Sequence, residues 1–101
     1  MIEYLYDTIR ASAGETITLT ARVSDNDGNC VEDQCGLMIH DDNELLFMVD
    51  GTLFEDDALE EKLWLFTIPS ELTAGLTGRY WYCVCCGETK LCFKHPIYFK
   101  G

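Results

Sequence analysis

Cysteine and histidine offer the most chemistry in this sequence of 101 residues. The six cysteines are Cys30, Cys35, Cys83, Cys85, Cys86 and Cys92, and the two histidines are His40 and His95. Thiolates and imidazoles are ligands of structural zinc, and two thiols at the right separation form a disulfide. A reduced cysteine can also pack as a small apolar side chain, because free cysteine is among the most buried residue types.

The spacing of the cysteines argues against zinc. Zinc knuckles commonly have the form C-x2-C, whereas the run at residues 83–86 reads C-x-C-C. In a strand Cys83 and Cys85 share a face and Cys86 points to the other, so the three thiols do not converge on one ion. We expect no metal and no other cofactor. A zinc- or redox-responsive binding module that uses all six cysteines is the alternative.

A disulfide between Cys85 and Cys92 is a possible pairing. If Glu88 and Thr89 are the centre of a two-residue hairpin turn, Cys85 lies directly opposite Cys92, at the separation of facing cross-strand residues. A slip of the turn by one residue would separate the two thiols.

The sequence contains no catalytic motif that we recognise. No serine lies in a G-x-S-x-G elbow, and no glycine-rich loop could cradle a phosphate. Carboxylates are so numerous that a pair of them indicates nothing specific. We therefore expect a protein that is not an enzyme and has no small-molecule substrate.

One acidic loop is similar in composition to a calcium loop. It runs from Asp25 to Asn29, with Glu32 and Asp33 nearby. It lacks the D-x-[DN]-x-[DN]-G spacing and the distal glutamate of an EF-hand. Turn formation alone explains Asp, Asn and Gly at these positions.

The net charge of −11 is concentrated in one part of the chain. Residues 25–61 contain thirteen acids and neither lysine nor arginine, and the rest of the chain has five acids and seven bases. Such a surface repels nucleic-acid phosphates and anionic membranes. It is either a solvated face that aids solubility or a docking face for a basic partner.

The sequence predicts a protein made in the cytoplasm. No apolar run approaches the ~20 residues that a membrane helix requires, and the first residues, MIEYLYDTIR, do not have the pattern of a secretory signal. We accordingly expect the thiols to be reduced.

Alternating apolar and polar residues predict an all-β protein. The predicted strands cover residues 2–9, 16–23, 37–41, 44–49, 62–68, 79–86, 90–94 and 97–100. Turn residues separate them, including Asp42-Asn43 and Asp50-Gly51, and only residues 55–61 and 70–75 leave room for a helical turn. We predict one domain, residues 1–101, folded as an antiparallel β-sandwich of about seven or eight short strands. The predicted core is Leu19, Ala21, Val23, Ile39, Leu65, Tyr80, Tyr82 and Val84.

Two stretches resemble small Ig-like domains of phage virion proteins. They are AGETITLTARVSDNDGNCVE, from Ala13, and LFTIPSELTAGLTGRYWYCVCC, from Leu65. The resemblance lies in a Gly-Glu-Thr strand, a D-x-D-G-N turn and a Thr…Leu…Gly-x-Tyr crossover into a tyrosine-rich strand. Baseplate upper proteins, head-decoration proteins and tail proteins contain such domains. The resemblance implies an Ig-like fold and a structural role in a virion.

The expected function is therefore that of a non-enzymatic virion protein, a head-decoration, head-fibre or baseplate component. Its partners would be other virion subunits or further copies of itself, with no nucleic acid and no membrane. Trp81, Cys83 and Phe93 are the predicted interface residues, because the hairpin that holds them is apolar on both faces. An adhesion domain of a secreted bacterial protein is a further alternative, which intact disulfides would support.

Overall fold

The computed structural model describes residues 2–4, 9–25, 27–32, 34–58, 60–86 and 95–100. The elements in these ranges are β1 (Ile2–Tyr4), β2 (Ile9–Ser12), β3 (Ile17–Val23), β4 (Cys35–His40), β5 (Leu45–Asp56), β6 (Glu61–Ile68), α1 (Ser70–Thr73), β7 (Gly78–Cys86) and β8 (His95–Lys100). The protein is all-β, as predicted. The predicted strand at residues 90–94 and its turn lie outside the described residues. The described part of the chain contains no helix with the length and apolarity to span a membrane.

The strands follow one continuous order, β1-β3-β6-β5-β4-β7-β8-β2. The long strand β5 belongs to two halves of this sheet. Its first half pairs with β4, from Gly36↔Asp50 to His40↔Leu45, and its second half pairs with β6, from Gly51↔Phe66 onward. We call β1, β3, β6 and the second half of β5 the first half-sheet, and the first half of β5 with β4, β7, β8 and β2 the second half-sheet.

The sheet is mixed, which corrects the prediction of a wholly antiparallel one. Residues 2–9 were predicted to form one strand, but they contribute to two. Strand β1 pairs antiparallel with β3, and β2 pairs in parallel with β8, with Arg10 opposite Tyr98. The two short strands therefore close opposite ends of the strand order.

Buried side chains from both half-sheets form one hydrophobic core. Six of the eight predicted core residues are buried: Leu19, Ala21, Val23, Ile39, Tyr82 and Val84. Tyr80 is only partly buried against the core. The prediction for Leu65 is wrong, because β6 turns Trp64, Phe66 and Ile68 into the core and leaves Leu65 half-buried.

The predicted turn at Asp50-Gly51 is also wrong. Strand β5 runs straight through this dipeptide and passes there from one half-sheet to the other. Glycine is needed because an added Cβ at Gly51 would lie 2.5 Å from Cε1 of Phe66 and 2.9 Å from Cε3 of Trp64. A glycine within a strand often marks such a close approach.

Candidate interaction surface

The second half-sheet has one side against the core and one side turned away from it, which we call the outer face. On β7 the side chains alternate, so Tyr82 and Val84 point inward and Arg79 and Trp81 point outward. The cross-strand register places His40 and Pro96 on either side of Trp81. Trp81 therefore lies on the middle strand of the outer face.

Two charged side chains hold Trp81 in place. The indole Nε1–H donates a hydrogen bond of 3.0 Å to Oδ1 of Asp42. The guanidinium of Arg79 lies over the indole ring, with Cζ 5.0 Å from the ring centroid, at a distance typical of a cation–π contact. Arg79 also lies 3.8 Å from Oδ1 of Asp42. Trp81 is half-buried, so it presents a fixed and partly accessible aromatic surface.

Exposed apolar side chains extend this surface along β5. Leu45 is 49% exposed, Leu46 37% and Met48 55%. Met48 is in register with Met38 of β4, which in turn faces Cys83 of β7. The irregularity in the β4–β5 pairing between Ile39 and His40 accommodates Leu46 as an extra residue and brings two adjacent leucines to the surface.

The other side of the outer face combines an aromatic ring with positive charge. Tyr98 is 38% exposed, and the Arg10 guanidinium lies 5.8 Å from its ring centroid. Arg10, Tyr98 and Lys100 line a shallow open cavity of about 480 Å³ between β2 and β8. The Glu15 carboxylate also lines this cavity.

The prediction that Cys83 contacts a partner is wrong, and the prediction for Phe93 is not tested. Cys83 is fully buried, so it cannot touch a partner directly. Phe93 lies outside the described residues.

The possible Cys85–Cys92 disulfide is absent from the structure. Cys85 carries a free thiol, and Cys92 lies outside the described residues. The register places Cys85 opposite Gly36, a residue with no thiol. Cys35 takes part in a disulfide, which corrects the expectation that the thiols are reduced.

Two further cysteines are free. Cys30 and Cys83 both carry thiols. Burial, with the nearby Glu32 carboxylate as a smaller cause, raises the pKa of Cys30. Among the residues that the structure describes, no group of three or more His, Cys, Asp or Glu side chains is placed to hold a metal ion.

The acidic segment at residues 25–61 is partly neutralised by bases outside it. Arg22 pairs with Glu61, with Nε 2.8 Å from Oε2, and Lys62 pairs with Glu32. The hydrogen bond from Arg22 lowers the pKa of Glu61. Arg79, also outside the segment, lies 3.8 Å from Asp42. Because residues 25–61 contain thirteen acids and neither lysine nor arginine, the segment keeps its negative character.

Turn formation accounts for the calcium-like loop. Oδ1 of Asp25 accepts hydrogen bonds from the backbone N–H groups of Asp27, at 2.9 Å, and Asn29, at 3.0 Å. Gly28 has φ of 84°, a conformation that glycine adopts without strain.

No family model matches the sequence, and no curated protein matches it.

Sequence reasoning identified Trp81 but missed the apolar half of the outer face. The available signal was the run LLFMV at residues 45–49, which is apolar at every position. Phe47 and Val49 pack against the core, which leaves the alternate positions Leu46 and Met48 outside. An apolar residue on both faces of a strand indicates a second contact surface.

Proposed function

We propose that this protein is a non-enzymatic structural component of a phage virion that acts through protein–protein contacts. It is made in the host cytoplasm and incorporated into the particle as a head-decoration, head-fibre or baseplate component. The outer face of the second half-sheet is its contact surface. Its partners are other virion subunits or further copies of the same chain.

The observation that carries this proposal is the concentration of exposed apolar side chains on one half-sheet. Among the described residues, four of the five exposed large apolar side chains belong to it: Leu45, Leu46, Met48 and Tyr98. Trp81, held by Arg79 and Asp42, lies among them. Rigid aromatic side chains and methionine are enriched where proteins contact each other, and a clustered apolar surface commonly marks such a site.

The strand order supports an Ig-like sandwich. In Ig domains one sheet has strands A, B, E and D, and the other has C, F and G. Strands β1, β3, β6 and the second half of β5 match the first set, and β4, β7 and β8 match the second. The same arrangement of strands occurs in proteins of many functions, so incorporation into particles is the deciding observation.

The charge distribution favours protein partners over nucleic acid. The chain has a net charge of −11, and phosphate contacts need clustered Lys and Arg. Two of the exposed bases on the outer face, Arg10 and Arg79, each lie over an aromatic ring of the same chain. We infer that they flank an apolar contact and do not form a phosphate-binding row.

Incorporation into particles tests the proposal. Virions that carry the tagged protein are purified by density gradient, and the protein is quantified in the particle fraction. The wild type should cosediment with particles, and Met48→Glu should be depleted. Leu72→Glu is the matched control, because Leu72 is also exposed, at 37%, but lies on α1, which is not a strand of the second half-sheet. Absence of the wild-type protein from the particles would overturn the assignment.

One observation favours a second candidate, the adhesion domain of a secreted bacterial protein. Cys35 takes part in a disulfide, and disulfides persist mainly in oxidising compartments. Rapid acid quenching and alkylation of the protein in its native source separates the two candidates. Cys35 oxidised within the cell envelope favours the adhesin, and Cys35 reduced in the cytoplasm before assembly favours the virion protein.

A further inference from the structure

The outer face carries opposite charges on its two sides. Asp42 and Glu44 lie in the turn between β4 and β5 and are exposed. Arg10 on β2 and Lys100 on β8 are exposed on the opposite side. The order β5-β4-β7-β8-β2 puts four strand spacings between these sides, which is roughly 19 Å at ~4.8 Å per spacing. Trp81 on β7 and Tyr98 on β8 lie between them, and the exposed Leu45, Leu46 and Met48 lie on β5 at the acidic side.

Glu44 and Arg10 also lie at similar heights along the strands. Leu45 is in register with His40, and His40 with Trp81. Glu44 is one residue beyond Leu45. Arg10 is in register with Tyr98, and Tyr98 is in register with Arg79. Arg79 lies two residues beyond Trp81 on β7. Glu44 and Arg10 are therefore at most about one residue apart in height, or roughly 3 Å.

We propose that the outer face binds a second copy of this chain in a symmetric dimer. The proposal rests on the proposed role of the outer face as a contact surface. The two-fold axis lies in the interface and runs along the strands. Rotation about such an axis preserves height and exchanges the sides, so Glu44 of each copy comes opposite Arg10 of the other. An axis across the strands would instead place acid against acid, which charge repulsion disfavours. A two-fold contact is self-complementary, as this pattern requires.

The size and charge of the face predict a weak dimer. The face is roughly 19 Å wide, and the six residues of β5 from Leu45 to Asp50 are roughly 20 Å long. That footprint, roughly 400 Å² on each copy, is smaller than that of stable interfaces and corresponds to a weak, transient contact. Two chains of net charge −11 also repel each other at long range, and salt at about 0.15 M screens this repulsion beyond about 8 Å. Close pairs such as Glu44 with Arg10 are screened less.

Sedimentation equilibrium on the purified chain, up to roughly 1 mM in 0.15 M salt, tests the proposal. The wild type should dimerise, and Met48→Glu should stay monomeric with an unchanged circular dichroism spectrum. Glu44→Lys and Arg10→Glu should each weaken dimerisation about tenfold, and the double variant should regain most of the wild-type affinity, because each reversed charge then faces the other. Glu71→Lys is the control, since it changes the net charge as Glu44→Lys does but lies on α1.

The outcomes separate this inference from the proposed function. A wild type that is monomeric at the highest concentration overturns the dimer, and so does a double variant weaker than both single variants. If Met48→Glu is nevertheless lost from virions, the outer face binds a different subunit and the proposed function stands. If the dimer forms as described but the wild type is absent from virions, the proposed function fails and the dimer stands.

Discussion

Gly51 of β5 lies directly against the ring of Phe66 on β6. The two residues are register partners, and a Cβ added to Gly51 would come within 2.5 Å of the ring. This contact lies where β5 passes from one half-sheet to the other. The passage of β5 from one half-sheet to the other thus depends on the absence of a side chain at residue 51.

The first prediction concerns this close approach. Gly51→Ala should lower the free energy of unfolding by about 1–3 kcal/mol, because the methyl group overpacks a filled core. Gly75→Ala is the control, since its Cβ would meet nothing within 4 Å, and it should be neutral or stabilising by up to about 1 kcal/mol. Urea denaturation measures both. Equal effects of the two substitutions would show that the contact with Phe66 is not tight.

A second prediction concerns the core face of β6. Phe66 is fully buried and Leu65 is only half-buried. Phe66→Ala should cost about 3–5 kcal/mol through the lost burial and the cavity left behind. Leu65→Ala should cost clearly less in the same urea titration. The reverse order would mean that β6 presents its other face to the core.

The two wrong predictions, Leu65 in the core and a turn at Asp50-Gly51, have physical causes. In residues 62–68 both alternating sets are apolar, so periodicity cannot decide which set faces the core. Asp50-Gly51 has the composition of a turn, and only the approach of Phe66, distant in sequence, explains a glycine within a strand. By contrast, Thr alternates with apolar residues at positions 16–20, and there the sequence predicted strand and buried face correctly.

The sequence predicted less of the outer face than of the fold. Trp81 could be assigned to an outward face by alternation, but the burial of Cys83 depends on neighbouring strands that the sequence does not identify. Among the described residues, Met48 has the most exposed large apolar side chain. It lies in an apolar run, and only the pairing of β5 with β4 shows which positions of that run point outward.

The third prediction concerns acid stability. The pKa of Glu61 is lowered from its ordinary value of 4.5, first by the hydrogen bond from Arg22. Folded Glu61 therefore binds its proton less tightly than unfolded Glu61, so protonation favours the unfolded state. Its stabilising contribution should be complete above pH 4.5 and be lost as the pH falls through the folded pKa.

Urea midpoints at pH 7 and pH 3 measure this effect. Glu61→Gln should be less stable than wild type at pH 7, and the difference should shrink at pH 3. Glu71→Gln, which removes an exposed carboxylate on α1, controls for the loss of one acid. A difference that stays the same at both pH values would contradict the role assigned to the Arg22 contact.

The fourth prediction concerns thiol reactivity. Cys83 is fully buried and should resist iodoacetamide until the protein unfolds. Cys30 is half-buried with a raised pKa, so it should react in the native state but slowly, because the thiolate is the nucleophile. Cys35, which takes part in a disulfide, should be labelled only after reduction. Peptide mass spectrometry gives each rate, and native labelling of Cys83 as fast as that of Cys30 would contradict the burial.

Photo-crosslinking from the outer face tests the central claim most directly. Benzoylphenylalanine is introduced at position 48 in one variant and at position 72 in another, and both are irradiated in cells that are assembling particles. Both positions are exposed, but only Met48 lies on the outer face. The account predicts a discrete crosslinked product from position 48, whose mass identifies the partner, and none from position 72. Equal products from both positions, or products from position 72 alone, would contradict a contact surface on the outer face.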